Sequence, residues 1–89
     1  MPFNAEETPV VMREFTSVYF DASSAVSVAL SLLSGPKITH IGAKRTLFVG
    51  KGAWGCVERT EDGLLVTISF PSDSNMDTKR LVALGFEEG

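Results

Sequence analysis

The feature of the sequence that most constrains the fold is an Asp-Gly step between two runs of strand-forming residues. The runs are residues 53–59, AWGCVER, and residues 64–70, LLVTISF, and Asp62-Gly63 lies between them. An Asp-Gly pair in this setting is a strong β-hairpin signal, because both residues tolerate the backbone angles of a tight turn. We therefore expect an antiparallel sheet built around this hairpin.

Three further segments have the composition of strands. Residues 10–20, VVMREFTSVYF, are rich in β-branched and aromatic side chains, and residues 37–41, KITHI, and 45–49, RTLFV, are separated by a short turn containing Gly42. Such residues favour the pleated, half-buried surface of a sheet. The sequence therefore predicts one strand near the start of the chain and a meander of four strands after the first helix.

Two segments are predicted to be helical. The first begins at a cap formed by Asp21 or Ser23, runs to about Leu33, and is ended by Gly35-Pro36. The second is predicted over residues 74–84, with Ser74 and an acidic residue three positions later approximating a capping box. The element order is then β-α-β-β-β-β-α, which indicates a small antiparallel sheet with both helices on one face, an α+β fold.

Length and composition indicate a single small domain. The chain has 89 residues, of which residues 10–89 are expected to form the α+β domain and residues 1–9, with two prolines and two glutamates, a loose N-terminal arm. Cys56 is the single cysteine, so no disulfide can form within the chain. With no signal-peptide pattern and no uncharged stretch long enough to cross a bilayer, the sequence favours a cytoplasmic protein that does not bind membranes.

The first helix carries no charged side chain, which is unusual for a helix on the surface of a small sheet. Its serines form a narrow polar stripe, and two larger apolar residues widen the apolar arc toward that stripe. We expect this surface to contact another protein chain, and oligomerisation is a common remedy for a domain with a small core. The residues predicted to form the contact are Val28, Leu32, Ser24, Ser27 and Ser31.

This surface favours a non-enzymatic protein-interaction module that associates with itself as a homodimer. An adaptor, a chaperone-like protein or a regulatory subunit would each fit. In a few residues, the segment 79–86, KRLVALGF, after a strand hairpin resembles the C-terminal part of compact acidic secretion-chaperone-like domains.

A single-stranded nucleic-acid-binding protein is the main alternative. Residues 37–59 contain five basic side chains and one acidic side chain, although the whole chain has a net charge of −3. Cations and aromatic rings on one sheet face can hold phosphates and stack bases. The residues predicted for this role are Lys37, Lys44, Arg45, Lys51, Arg59 and Trp54.

A weaker alternative comes from the glycine-rich segment 50–57, GKGAWGCV. It matches G-x-G-x-x-G-x-V and resembles the glycine-rich loop of protein kinases, which also lies on a hairpin and covers a nucleotide. The sequence departs from the kinase pattern at Ser69, where the phosphate-pairing lysine would stand, and no catalytic-loop motif follows. The interpretation that fits better is structural, with glycines that let a twisted hairpin bend and with Trp54 packed on the sheet.

A thiol enzyme would need Cys56 as nucleophile with His40 as its base, and these two must be adjacent. A lone strand cysteine is more often a small buried apolar residue. One histidine and one cysteine also fall short of a tetrahedral metal site. The sequence therefore predicts no catalytic residues, no metal and no cofactor.

Overall fold

The computed structural model describes residues 11–89, so the predicted arm at residues 1–9 lies outside the described part of the chain. The described residues form six strands and two helices. In chain order these are β1 (Met12–Tyr19), α1 (Ala22–Leu32), β2 (Lys37–Ile41), β3 (Arg45–Gly50), β4 (Ala53–Thr60), β5 (Gly63–Pro71), α2 (Thr78–Ala83) and β6 (Glu87–Glu88).

All strands join one antiparallel sheet in the order β2-β3-β4-β5-β1-β6. The predicted α+β class is confirmed, and so are the central hairpin and the four-strand meander. The first strand pairs with β5 along its whole length, from Met12 opposite Pro71 to Tyr19 opposite Leu64. Chain order alone left the position of β1 open, because either edge of the meander was available to it.

Helix α1 begins at Ala22, and Asp21 caps it by accepting a hydrogen bond from the Ser24 backbone N–H at 2.9 Å. Its buried residues are Ala25, Ala29 and Leu32, which recur at helical spacing and face the sheet. The helix packs across β5, β4 and β1. Because two of the contacting residues are alanines with short side chains, the helix axis can lie close to the surface of the sheet.

The core fills the space between the helices and the face of the sheet on which they pack. We call this the covered face. Its β5 residues, Val66, Ile68 and Phe70, are all buried, and Phe15 stacks on Phe70 with ring centroids 5.7 Å apart. Burial of several large apolar side chains in one layer supplies most of the free energy that stabilises such a domain.

The end of α1 is held against the turn between β3 and β4. The Lys51 backbone N–H donates a hydrogen bond of 2.8 Å to the Ser34 carbonyl oxygen. A Cβ at Gly50 would lie 2.9 Å from the Leu33 Cβ and 3.1 Å from that carbonyl, so the backbones meet too closely for a side chain. Gly52 has φ of +68°, which favours glycine. The glycine-rich segment is therefore explained by local geometry.

The second helix is shorter than the sequence predicts. It begins at Thr78, and Asp77 caps it by accepting a hydrogen bond from the Arg80 backbone N–H at 3.1 Å. Ser74 instead accepts a hydrogen bond from the Met76 backbone N–H at 3.2 Å, so it forms a turn ahead of the helix. Two candidate caps three residues apart compete in the sequence, and the one nearer the buried Leu81 begins the helix.

The sequence analysis did not predict β6, which is two residues long. It pairs with β1, and an ion pair fixes it there, with the Arg13 guanidinium donating two hydrogen bonds of 2.8 Å to the Glu88 carboxylate. These hydrogen bonds lower the pKa of Glu88. The same guanidinium lies 5.2 Å from the ring centroid of Phe15, a cation–π contact. A strand this short depends on such side-chain contacts for its position.

The other edge strand, β2, lies beyond the reach of the helices. All five of its residues are exposed, and Ile41 has 75% of its surface accessible. The pairing of β2 with β3 shifts register between Ile38 and His40, which marks a bulge at Thr39. The Thr39 hydroxyl donates a hydrogen bond of 3.4 Å to the Leu47 carbonyl oxygen across this bulge.

The covered face generates a stability prediction on α2. Leu81 is fully buried and its neighbour Val82 is 63% exposed. Leu81→Ala is expected to lower the free energy of unfolding by about 2–5 kcal/mol through lost burial and a cavity. Val82→Ala, the matched control, is expected to change it by less than about 0.5 kcal/mol. Urea denaturation measures both, and equal effects would contradict this account of the core.

Candidate functional site

The sheet has a second face on which neither α1 nor α2 packs, and we call it the open face. Side chains alternate across a strand, so the register assigns each residue to one face. The open face consists of Met12, Glu14, Thr16 and Val18 on β1, Lys37 and His40 on β2, Arg45, Leu47 and Val49 on β3, Trp54, Cys56 and Glu58 on β4, Leu65, Thr67 and Ser69 on β5, and Glu87 on β6.

Every residue of the open face is exposed or half-buried, and none is buried within residues 11–89. The contrast along β5 is direct. Val66 and Ile68, on the covered face, are inaccessible to solvent. Leu65, Thr67 and Ser69, which alternate with them and lie on the open face, are half-buried. The helices therefore cover the centre of one side of the sheet, and neither helix covers the other side.

Several apolar side chains lie on the open face, on the strands β1, β3, β4 and β5. Trp54 is 45% exposed, and its cross-strand neighbour Val49 is also exposed. The next row across the same two strands pairs Leu47 with Cys56. On the other side of the sheet centre, Leu65 lies opposite the exposed Val18. Single exposed apolar residues are ordinary, whereas several that share one sheet face with a tryptophan make that face a candidate contact surface.

Charged side chains lie at opposite ends of this apolar group. Lys37 and Arg45 lie on β2 and β3, and Glu14 and Glu87 lie on β1 and β6 at the other end. Glu58 is the exception, since it lies opposite Arg45 in the middle of the sheet. The open face thus carries positive charge at one edge and negative charge at the other.

The structure places the predicted helix surface differently from the sequence analysis. Ser24, Ser27 and Ser31 are exposed, as a polar stripe requires, and the Ser31 hydroxyl donates a hydrogen bond of 2.9 Å to the Val28 carbonyl oxygen. Val28 is half-buried against the core. Leu32 is 8% exposed, so its assignment to an exposed contact surface was wrong. The apolar arc of α1 faces the sheet and its neighbours, and small serines face outward.

The five basic residues predicted for nucleic acid do not share one surface. Lys37 and Arg45 lie on the open face with Trp54, whereas Arg59 belongs to the covered side, beside Val57. Lys44 and Lys51 lie in the turns that flank β3. Side chains alternate along the strands, and two of the cations lie in turns. Only Lys37 and Arg45 of the five therefore lie on the same face as Trp54.

The candidate nucleophile and base are not adjacent. His40 lies opposite Leu47, and Leu47 lies opposite Cys56, so β3 separates the two side chains. Two strand spacings amount to about 10 Å, beyond hydrogen-bond reach. Burial is the main cause that raises the pKa of the Cys56 thiol, with Glu58 raising it further and Arg45 opposing both. The arrangement keeps Cys56 as a protonated thiol at neutral pH.

The described part of the chain contains no cluster of three or more histidine, cysteine or acidic side chains that could hold a metal ion. A cavity of about 270 Å³ opens between the end of α1 and the start of α2, lined by Lys51 and Arg80 among others. Asp77, also in its lining, already caps α2. Neither helix within residues 11–89 is long and apolar enough to span a membrane.

The open face was missed because the sequence around Trp54 is ambiguous. In residues 53–57, AWGCV, both alternating sets contain apolar residues, and Gly55 contributes no side chain to either. Helix α1 requires small residues beneath its end, and a Cβ at Gly55 would lie 3.2 Å from a Leu33 methyl group. The small set therefore faces the helix and turns Trp54 outward. The available sequence signal for the outward direction of Trp54 was its position between two small residues, Ala53 and Gly55.

The raised pKa of Cys56 predicts slow alkylation of the folded chain at neutral pH. It also predicts a pH dependence of stability, because the unfolded thiol ionises first as the pH rises. The contribution of the Cys56 thiol to the free energy of unfolding is full at a pH below the pKa of the thiol in the unfolded chain. It is lost as the pH rises through the pKa of the thiol in the folded chain. Urea midpoints of the wild type and Cys56→Ala, compared across alkaline pH, isolate it. A difference that grows in favour of the wild type would contradict the prediction.

Comparison of the chain with protein-family models, with curated proteins and with solved structures found no match.

Proposed function

We propose that this chain is a small non-enzymatic protein-interaction module, an adaptor or regulatory subunit, whose contact surface is the open face of the sheet. The single observation that carries the proposal is that Trp54 and several aliphatic side chains are exposed together on the sheet face opposite both helices. The proposal keeps the function class expected from the sequence and moves the surface from α1 to the sheet.

The free energy of exposed apolar surface supports this assignment. Trp54, Val49 and Val18 all keep more than a third of their surface accessible. Burying apolar surface is favourable by roughly 25 cal/mol per Å², and tryptophan is among the residues most enriched at protein contacts. A partner that covers the open face would bury apolar surface on each of these side chains, and this burial would stabilise the complex without any rearrangement of the backbone.

The chemistry of the ionisable groups supports a non-enzymatic role. Cys56 has a raised pKa, and strand β3 separates it from His40. The most reactive side chain of the open face is thus kept in its less nucleophilic form. We also place the protein in the cytoplasm, where a chain with one thiol and no disulfide partner within itself is stable.

The surface is tested by site-specific photo-crosslinking in the organism of origin. Trp54→p-benzoylphenylalanine, placed at the centre of the open face, is expected to give discrete covalent adducts that contain the chain. Ser27→p-benzoylphenylalanine, on the outward side of α1, is the matched control and is expected to give none.

Val49→p-benzoylphenylalanine provides a second position on the open face, in case the first replacement weakens the contact it is meant to trap. Adducts from both sheet positions and none from the helix support the proposal. Adducts from the helix position alone, or from no position, contradict it.

Single-stranded nucleic-acid binding is the second candidate function. The observation in its favour is that Trp54, a stacking ring, shares the open face with two cations, Lys37 in its own cross-strand row and Arg45 at the far end of β3. Glu14 and Glu58 on the same face act against it, because they repel phosphates.

If this candidate holds, a labelled single-stranded oligonucleotide will bind with an affinity that falls as salt rises, with a log–log slope of about −0.7 per phosphate contact. Trp54→Ala will weaken binding by about 1–3 kcal/mol per stacked base. Fluorescence anisotropy over a salt series measures both. Binding that is absent, or indifferent to salt and to Trp54→Ala, removes the candidate.

A further inference from the structure

We propose that the partner of the open face is a second copy of this chain, and that the two sheets pack face to face about a two-fold axis parallel to their strands. This inference rests on the proposed function, because it takes the open face as the contact surface. It names the partner and the orientation, and each can be tested separately from the surface itself.

The charge distribution selects the orientation. A two-fold axis parallel to the strands reverses strand order across the interface, so β2 of one copy lies over β6 of its partner. Lys37 then lies near Glu14 and Glu87 of the partner copy, and the same contact occurs twice, whereas Arg45 lies over Val18 of the partner copy. An axis perpendicular to the strands, in the plane between the sheets, would place β2 over β2 and bring like charges together. Charge complementarity therefore favours the parallel axis.

Side-chain size agrees with this orientation at the centre of the interface. The axis lies between β4 and β5, where Trp54 is the cross-strand neighbour of Ser69. Reversal of strand order places each Trp54 over Ser69 of the partner copy. In the next row, Cys56 meets Thr67 of the partner copy. A large ring over a small residue is the alternation that lets two sheets approach to the usual ~10 Å.

The outline of the open face approaches the area that each partner of a stable dimer buries. The central strands β4 and β5 have eight and nine residues. At ~3.3 Å per residue and ~4.8 Å between strands, six strands outline a face of about 25 by 25 Å, on the order of 600 Å² before side-chain relief is counted. Stable interfaces bury about 800 Å² per partner, and side-chain relief raises accessible area above its outline.

The test exchanges the charges of one edge at a time. The basic-edge variant is Lys37→Glu with Arg45→Glu, and the acidic-edge variant is Glu14→Lys with Glu87→Lys. Each variant alone places like charges over each other twice, and its dimer dissociation constant is expected to rise by on the order of tenfold or more. An equimolar mixture of the two variants restores both complementary edges. The mixture is therefore expected to recover dimerisation to near the wild-type level.

Sedimentation equilibrium provides the measurement, with the wild type expected to approach twice 9.6 kDa as concentration rises. Lys44→Glu with Lys51→Glu is the matched control, since it makes the same change of charge in two turns away from the open face. It is expected to dimerise like the wild type. Because Arg45 lies opposite Glu58 in its own chain, Lys37→Glu alone serves as a second variant that leaves this cross-strand pair intact.

The outcomes separate this inference from the proposed function. A wild type that stays monomeric at millimolar concentration overturns the inference, as does a mixture of variants that fails to recover dimerisation. Adducts from position 54 to a different protein, or to residues 1–10 of the same chain, also overturn it. A monomeric wild type and adducts to a different protein both leave the open face as a candidate contact surface for another protein, whereas adducts to residues 1–10 do not. A dimer lost in Ile38→Lys but kept in both edge-charge variants would indicate pairing through β2 instead.

Discussion

The packing of α1 across the centre of the sheet is the interaction on which the rest of the structure depends. It buries Ala25 and Ala29 against β5, β4 and β1 and thereby decides which face of every strand is inside. Because the helix approaches so closely, the strand residues beneath its end must be small, as Gly50 and Gly55 are. With Ala53 and Gly55 on the covered face, Trp54 between them lies on the opposite face. The exposed tryptophan is thus a consequence of how the core closes.

Much of the architecture could be predicted from local signals, and the failures have physical causes. The Asp62-Gly63 turn, the Asp21 cap and the apolar periodicity of α1 act within a few residues, and the structure agrees with each. The position of β1, the two-residue β6 and the burial of Leu32 depend on contacts between distant segments. The candidate surface belongs to this second class, because which side of a strand is outside depends on where the helix packs.

The arrangement of polar groups is as informative as the apolar surface. Five cations that are close in sequence are divided among two sheet faces and two turns. The thiol and the imidazole are held on different strands with β3 between them. What the fold does bring together is a tryptophan, a few aliphatic side chains and small hydroxyl residues on a firm sheet. The open face therefore does not bring the thiol and the imidazole together.

The bulge in β2 affects how copies of this chain can assemble. A sheet grows without limit when both outer strands offer an unbroken row of backbone donors and acceptors. Here one edge is interrupted at Thr39 and the other is a strand of two residues. Neither edge provides a long template, so open-ended growth into fibrils is disfavoured.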